Sequence, residues 1–296
     1  MKLTLRSLFF GSHGKLRNGW WILIFIAFIA ITRLAYKPLT HGLKDWGLPA
    51  LWLEPVPFLM TLLATWGCTR LRGEPLWSVG LRLDRRWLGE VVGGALLGIG
   101  TALLVVGLIC AMGGVRFELD PARSTVALPI GLHVVLFAAL LEENLFRGFI
   151  FQRLLDGLGT WPAQIAMAGL FALVHWGNPG MQGSTEIVAS LDLFLGAVML
   201  GLAYLRTRSL ALPVGLHLGW NWAQGQLLGF GVSGYEQAGW WKPVFQGRAE
   251  WLTGGAFGPE SSIFSPLVSL LMILLLWKWK GSVPNHVGSS AGRGRP

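Results

Sequence analysis

The sequence is poor in charged residues. Asp, Glu, Lys and Arg together make up 13% of its 296 residues, against about 25% in ordinary soluble domains. Hydrophobic residues reach 53%, which exceeds the apolar share of such domains. This composition excludes a single soluble globular domain and indicates a polytopic membrane protein.

Cysteine is scarce as well. Cys68 and Cys110 both fall inside apolar segments, and neither has a potential ligand at metal-binding spacing. The cysteine content therefore supports neither a disulfide framework nor a zinc knuckle. We expect both thiols to face lipid or the protein core.

Acidic residues are outnumbered, with 15 Asp and Glu against 24 Lys and Arg, so the formal net charge is +9. A basic chain can bind nucleic acid, but here the cations lie in short segments between apolar runs rather than in one polar domain. That distribution is typical of membrane topology. We predict the lipid bilayer as a partner and no nucleic acid.

Apolar runs of about 20 residues are long enough to cross a bilayer as helices. Eight such runs can be placed, at 19–36, 51–69, 89–112, 130–155, 161–179, 187–206, 209–228 and 263–280. The predicted fold is therefore all-α, a polytopic membrane bundle of about eight transmembrane helices.

The basic segments predict the orientation in the membrane. Residues 1–18 carry four Lys and Arg and residues 70–88 carry five, whereas residues 176–186 carry none. The positive-inside rule places the two basic segments in the cytoplasm, and an even number of spans then puts both termini there. We expect a protein of the cytoplasmic membrane. No small-residue cleavage site follows the first apolar run, so we predict an uncleaved first span.

The spans and loops divide the chain into four predicted regions. Residues 1–122 form an N-terminal region of three spans, and residues 123–228 form a helical core that carries the polar motifs described below. Residues 229–280 comprise an outer insertion, 229–262, and the last span. The tail 281–296 is rich in Gly, Ser and Arg, and that composition predicts disorder.

Two adjacent carboxylates, Glu142 and Glu143, interrupt the fourth apolar run. A charge near the centre of a transmembrane helix costs roughly 2.5 to 3.5 kcal/mol, so it is normally paired or faces a polar cavity. Arg147 lies four residues after Glu143 on the same helical face, which predicts an ion pair between them. Glu142 points about 100° away, toward other helices.

Polar side chains in two later runs are candidates to meet Glu142. His175 follows Phe171 by four residues, and Asn221 follows His217 by four. With a helical rise of about 1.5 Å per residue, these groups lie in one layer, roughly 12 to 21 Å from the cytoplasmic ends of their spans. A shared intramembrane cavity is therefore geometrically allowed.

Each motif taken alone also has a structural interpretation. The Glu-Glu pair with Arg147 is consistent with a clamp, and His175 with a core histidine bonded to a backbone carbonyl. His217 and Asn221 are consistent with hydrogen bonds between helices. Asp192, in the sixth run, we interpret as structural or cavity-lining, because no partner motif surrounds it.

The combined set permits hydrolysis. A carboxylate and an imidazole that face one water form a general base, and a second imidazole with an amide can donate hydrogen bonds to an oxyanion. Two imidazoles and a carboxylate also resemble a catalytic zinc set. We favour the donor interpretation, without a required cofactor, because Asn221 is a poor zinc ligand but a good amide donor. A divalent zinc ion is the alternative.

Three motifs in this order resemble those of the CPBP family, the CAAX proteases and bacteriocin-processing enzymes also called Abi proteins. They are Glu142-Glu143-x-x-x-Arg147, Phe171-x-x-x-His175 and His217-x-x-x-Asn221. The resemblance covers about 130–228 and implies an eight-span intramembrane endopeptidase of the glutamate type, often labelled a metalloprotease. The region 123–228 is then its catalytic core.

The resemblance also implies residue roles and a class of substrate. Glu142 and His175 would activate water, while His217 and Asn221 would form the oxyanion site. We expect Glu143, Arg147 and Phe171 to support the site structurally. The substrate would be a membrane-associated peptide or protein, of the CAAX type or a leader peptide.

Two interpretations without proteolysis compete with this one. Glu142, Glu143 and Asp192 could relay protons in a proton-coupled transporter, since ionisable residues at membrane depth commonly do so. The chain could also be a catalytically silent immunity or scaffold protein that keeps the motifs for structure.

Overall fold

A computed structural model of the protein describes residues 8–11 and 14–282, and this part of the chain is mostly helical. The α-helices are α1 Asn18–Asp45, α2 Pro55–Leu71, α3 Arg85–Ala111, α4 Ala127–Glu143, α5 Phe149–Leu158, α6 Thr160–Val174, α7 Gly183–Thr207, α8 Ala211–Trp222, α9 Glu250–Thr253 and α10 Phe264–Lys278. Apart from Gly281 and Ser282, the predicted disordered tail lies outside the described residues, as do Lys2 and Arg6 of the basic N-terminal segment.

Helix length and composition support part of the predicted membrane topology. Helices α1, α3 and α7 are long and apolar enough to cross a bilayer, and so is α2 together with the 3-10 turn Ala50–Leu53. Helices α6 and α10 are also apolar but have 15 residues each. All eight predicted runs coincide with helical structure, and within the described residues four of them lie in helices long enough for a complete span.

Large apolar side chains point away from the protein interior. On α1, for example, Leu23, Ile31 and Leu34 are 55%, 60% and 79% exposed. Soluble monomers rarely expose extended apolar surface, but such a surface is stable against lipid. The apolar helices with outward-facing leucines and isoleucines are those of an integral membrane protein.

One small sheet was not part of the all-α prediction. Strands β1 Val115–Leu119 and β2 Trp241–Phe245 pair antiparallel, with Val115 opposite Phe245. In β1, apolar and charged residues alternate with the period of two that is typical of a half-buried strand. Phe117 packs edge-on against Phe230, with ring centroids 5.9 Å apart. Five residues are too few to be recognised among long apolar runs.

Glycines set the approach of α3 to α8. Small residues four apart line both facing surfaces, Gly94 and Gly98 on α3 and Gly215 and Gly219 on α8. A Cβ atom added to Gly98 would lie 2.2 Å from the Leu216 carbonyl oxygen, and one added to Gly219 would lie 2.0 Å from that of Ala95. Only glycine permits this backbone contact. It holds the backbone of α8 close against α3.

Two of the predicted spans contain π-turns. The run 130–155 comprises α4, a π-turn at Asn144–Gly148, and α5, while α8 continues into a π-turn at Ala223–Leu227. Such insertions in a helix are frequent at functional sites. The first π-turn is fastened to α2, because the Asn144 side chain hydrogen-bonds Thr65 at 3.1 Å.

We call residues 229–262 the cap. The second half of this predicted outer insertion is packed inside the protein. Its buried residues include Leu252, Phe257, Glu260, Ser261 and Ser262. Polar backbone there is satisfied internally, since the hydroxyls of Ser261 and Ser262 donate to the carbonyl oxygens of Gly254 and Leu252. This burial brings cap residues to the cavity described next.

Candidate active site

Glu142 and Glu143 end helix α4 and point in different directions. Glu143 is completely buried, whereas 31% of the Glu142 side chain is exposed. Glu142 lines a cavity of about 620 Å³. Adjacent residues of a helix point in directions about 100° apart. Glu143 therefore lies behind the cavity wall, whereas Glu142 lies at its surface.

The ion pair expected from the spacing of Glu143 and Arg147 is present. Arg147 Nη1 donates to Glu143 Oε1 at 3.0 Å, and both side chains are buried. Arg147 Nη2 donates to the carbonyl oxygen of Ala197 on α7 at 3.1 Å. The guanidinium also lies over the ring of Phe171, 5.0 Å from its centroid. Arg147 therefore joins the π-turn to α6 and α7.

Glu143 has a second partner that spacing along the chain did not predict. His217 Nδ1 lies 2.9 Å from Glu143 Oε1. Because a carboxylate only accepts hydrogen bonds, this ring nitrogen carries the proton. His217 Nε2 lies 3.8 Å from Glu142 Oε2, which is longer than a hydrogen bond. The imidazole therefore lies between the buried carboxylate and the one in the cavity.

His175 follows the last residue of α6, and its ring is fixed by Phe171. His175 Nδ1 lies 2.7 Å from the Phe171 carbonyl oxygen, so Nδ1 is the donor and Nε2 keeps a lone pair in the neutral ring. The two rings also pack together, with centroids 4.6 Å apart. The four-residue spacing of this motif thus determines which nitrogen of His175 can accept a proton.

The four predicted catalytic residues lie on the wall of one cavity. Glu142, His175, His217 and Asn221 all line it, together with Phe171. His217 and Asn221 are one turn apart on α8, so their side chains share a helical face. The structure brings these groups together as the depth estimate allowed, and their chemical roles remain predictions.

Asp192 also lines this cavity, and its partners are far away in the sequence. Ser265 and Ser269 of α10 donate to its two carboxylate oxygens at 2.8 and 2.9 Å. The serines are four residues apart and share one face of α10. Asp192 therefore fastens α7 to α10 at the cavity wall.

Glu260 of the cap is a buried acid that sequence analysis did not single out. It lines the same cavity and accepts hydrogen bonds from Gln224 and Ser233. Burial raises the pKa of the Glu260 carboxyl, while these hydrogen bonds oppose the rise. No motif surrounds Glu260 in the sequence, so only the tertiary contacts identify it.

The zinc alternative can be tested against the positions of the side chains. Within residues 8–11 and 14–282, no three His, Cys, Asp or Glu side chains lie together in an arrangement that could hold a metal ion. The Nδ1 atoms of both His175 and His217 are engaged by oxygen acceptors, which leaves only the Nε2 atoms for a ligand, as is also usual for metal-binding histidines. Because these described side chains form no three-ligand set, we derive no chemical step through a metal.

Comparison with known proteins relates the central part of the chain to a family. A family model described as type II CAAX prenyl endopeptidase, Rce1-like, matches residues 124–223. The matched segment contains all seven predicted site residues and ends before the cap. No curated protein and no solved structure matches the chain significantly.

Proposed function

The chain belongs to the CPBP family through its Rce1-like segment, and we propose that it is an intramembrane endopeptidase that hydrolyses a CAAX-type, membrane-associated substrate. The observation that carries the proposal is the shared cavity wall of Glu142, His175, His217 and Asn221. A general base and potential oxyanion donors thus surround one space inside an apolar helical protein.

In this proposal, water is the nucleophile. His175 Nε2 accepts a hydrogen bond from the water and orients it, which suits a ring whose Nδ1 already donates to Phe171. Glu142 takes a proton as the water oxygen attacks the scissile carbonyl carbon. When the carbon–nitrogen bond breaks, Glu142 returns that proton to the leaving nitrogen.

Asn221 and His217 stabilise the oxyanion that forms during attack. The Asn221 amide donates directly. His217 Nδ1 is used by Glu143, so donation from Nε2 requires a ring that carries both protons. The buried Glu143 carboxylate compensates that positive charge, and a charged donor forms a stronger hydrogen bond to an oxyanion than a neutral one.

The cavity wall suits a substrate with a lipid group. Beside its polar groups it carries apolar residues from several helices, among them Val135, Leu145, Val174, Leu200 and Met272. An apolar cavity with a few placed polar groups is typical of sites that orient a ligand. A peptide that carries a prenyl chain presents both kinds of surface.

The test is cleavage of a prenylated CAAX peptide by purified protein in liposomes. Glu142→Gln and His175→Ala should each lose almost all peptidase activity while the protein stays folded and extractable. Glu118→Gln is the matched control, because Glu118 is an exposed acid on β1. Near-normal turnover in either site variant would remove the water-activation assignment.

The same preparation separates the peptidase from a transporter. A transporter would show proton flux in liposomes that Glu142→Gln abolishes, without cleavage of any peptide by the wild-type protein. If the CAAX peptide is not cleaved, comparing membrane proteomes that contain wild-type protein or Glu142→Gln identifies the natural substrate by its loss of a segment.

A further inference from the structure

Glu260 lies in the 3-10 turn Pro259–Ser261, outside the residues that match the family model. Its side chain is 5% exposed and lines the cavity with His175 and Asn221. A buried acid at a candidate active site either takes part in the chemistry or holds other groups in place. Its contacts distinguish these roles.

Three hydrogen bonds converge on the Glu260 carboxylate. Its Oε2 accepts from Gln224 Nε2 at 2.8 Å and from the Ser233 backbone N–H at 2.9 Å. Its Oε1 accepts from Ser233 Oγ at 3.0 Å. Gln224 belongs to the π-turn that follows α8, three residues after Asn221. Glu260 is thus tied to the end of the helix that carries His217 and Asn221.

Ser233 continues this connection to the other side of the cavity. Its carbonyl oxygen accepts from Asn178 Nδ2 at 2.9 Å, and the Asn178 backbone N–H donates to the carbonyl oxygen of His175 at 3.0 Å. Ser233 has φ of +48°, a left-handed conformation that is unfavourable for a non-glycine residue and persists where surrounding contacts impose it. Glu260 and Asn178 supply those contacts.

We propose that Glu260 is a positioning residue that sets the separation of His175 and Asn221 across the cavity. The inference rests on the proposed peptidase function and assigns the cap a role in it. Water activation and oxyanion binding come from two different helices, α6 and α8. Ser233 and Glu260 of the cap join the ends of these two helices, because they hydrogen-bond to Asn178 after α6 and to Gln224 after α8. A displacement of about 1 Å in such a site can lower the rate about 10²-fold.

Positioning needs the hydrogen bonds of Glu260 rather than its charge. In Glu260→Gln, the amide oxygen can accept from both Gln224 and the Ser233 N–H, and the amide NH₂ can donate to Ser233 Oγ. All three bonds then survive without a carboxylate. In Glu260→Ala, all three are lost.

The experiment measures kcat and KM for cleavage of the prenylated peptide, normalised to folded protein by gel filtration and thermal melting. Glu260→Ala should lower kcat about 10²-fold with little change in KM, as expected when catalytic groups are misplaced. Glu260→Gln should stay close to wild type. Glu250→Ala is the matched control, because Glu250 is an exposed acid of the same cap.

Asn178→Ala provides a second test, which remains informative if Glu260→Ala does not fold. It breaks the same connection and should also lower kcat, and the double variant should be no slower than the slower single variant. Glu260→Gln as inactive as Glu260→Ala would overturn the inference, and so would a normal kcat in folded Glu260→Ala or Asn178→Ala. A wild-type protein that cleaves no peptide would instead overturn the proposed function, and this inference with it.

Discussion

Arg147 balances charge in the interior of the site. Its removal takes from buried Glu143 the guanidinium with which it pairs, and breaking a buried ion pair in this way costs about 3 to 5 kcal/mol. We expect Arg147→Ala to lower the melting temperature in detergent or the expression level. Arg116→Ala is the control, because the Arg116–Glu118 pair is exposed and such pairs contribute about 0 to 1 kcal/mol.

The opposite outcome for Arg147 is also informative. If Arg147→Ala melted like wild type but had no peptidase activity, the guanidinium would belong to the catalytic groups instead of supporting them. Its contacts to the Ala197 carbonyl oxygen and the Phe171 ring favour the supporting role.

His217 is the residue at which the donor and metal mechanisms differ. A donor must present an N–H to the scissile carbonyl, whereas a metal ligand must present a lone pair. We expect purified enzyme to contain no stoichiometric zinc by elemental analysis, and His217→Gln to keep more activity than His217→Ala. The control is the same substitution at another histidine, His133→Gln on α4.

The metal mechanism makes different demands on the same variants. One zinc ion per chain, inactivation by chelators and equal loss of activity in both His217 variants would support it. Metal lost together with activity in His217→Ala would contradict the donor role.

Asn221 gives a further prediction at the residue scale. Asn221→Ala should lower turnover roughly 10²- to 10³-fold, the usual loss for one oxyanion donor. The protein should remain folded, since the amide faces a cavity rather than the packed core. Turnover within a few-fold of wild type would exclude Asn221 from the oxyanion site.

At the scale of elements, the contact between α3 and α8 positions His217 and Asn221. A Cβ at residue 98 would lie 2.2 Å from the Leu216 carbonyl oxygen, whereas a Cβ at residue 100 meets nothing within 4 Å. Gly98→Ala should therefore displace α8, destabilise the protein by about 1 to 3 kcal/mol and reduce peptidase activity.

Gly100→Ala is the matched control on the same helix. It should be neutral or slightly stabilising, because alanine favours the helix over glycine by about 1 kcal/mol. Thermal melting and turnover of the two variants provide the comparison. Equal behaviour of both would show that α3 does not determine the position of α8.

The orientation in the bilayer concerns the whole molecule. Ser78 precedes α3 within the basic segment 70–88, and Gln246 bonds to Gly114 just after that helix. The 27 residues of α3 span about 40 Å at the helical rise. In a chain without Cys68 and Cys110, a cysteine at 246 should react with an impermeant maleimide from outside sealed right-side-out vesicles.

A cysteine at 78 should react only after the vesicles are opened, because we predict its segment and both termini in the cytoplasm. Both positions are exposed, so a difference in labelling reports sidedness rather than burial. Labelling of residue 78 from outside intact vesicles would reverse the predicted orientation.

The sequence by itself determined the properties that local patterns encode. Apolar runs predicted the helices, because lipid-facing helices need continuous hydrophobic residues. Four-residue spacing predicted the Glu143–Arg147 pair and the shared face of His217 and Asn221, since the helical period is local. These motifs also resembled those of the family whose Rce1-like model matches residues 124–223.

Only the tertiary structure decided which groups meet across the fold. His217 pairs with Glu143, 74 residues away, and Asp192 with serines 73 and 77 residues away. Glu260 reaches the end of α8 through side chains that belong to no motif. Such contacts depend on how helices and cap pack in three dimensions, and no periodicity along the chain records which partner each polar group will find.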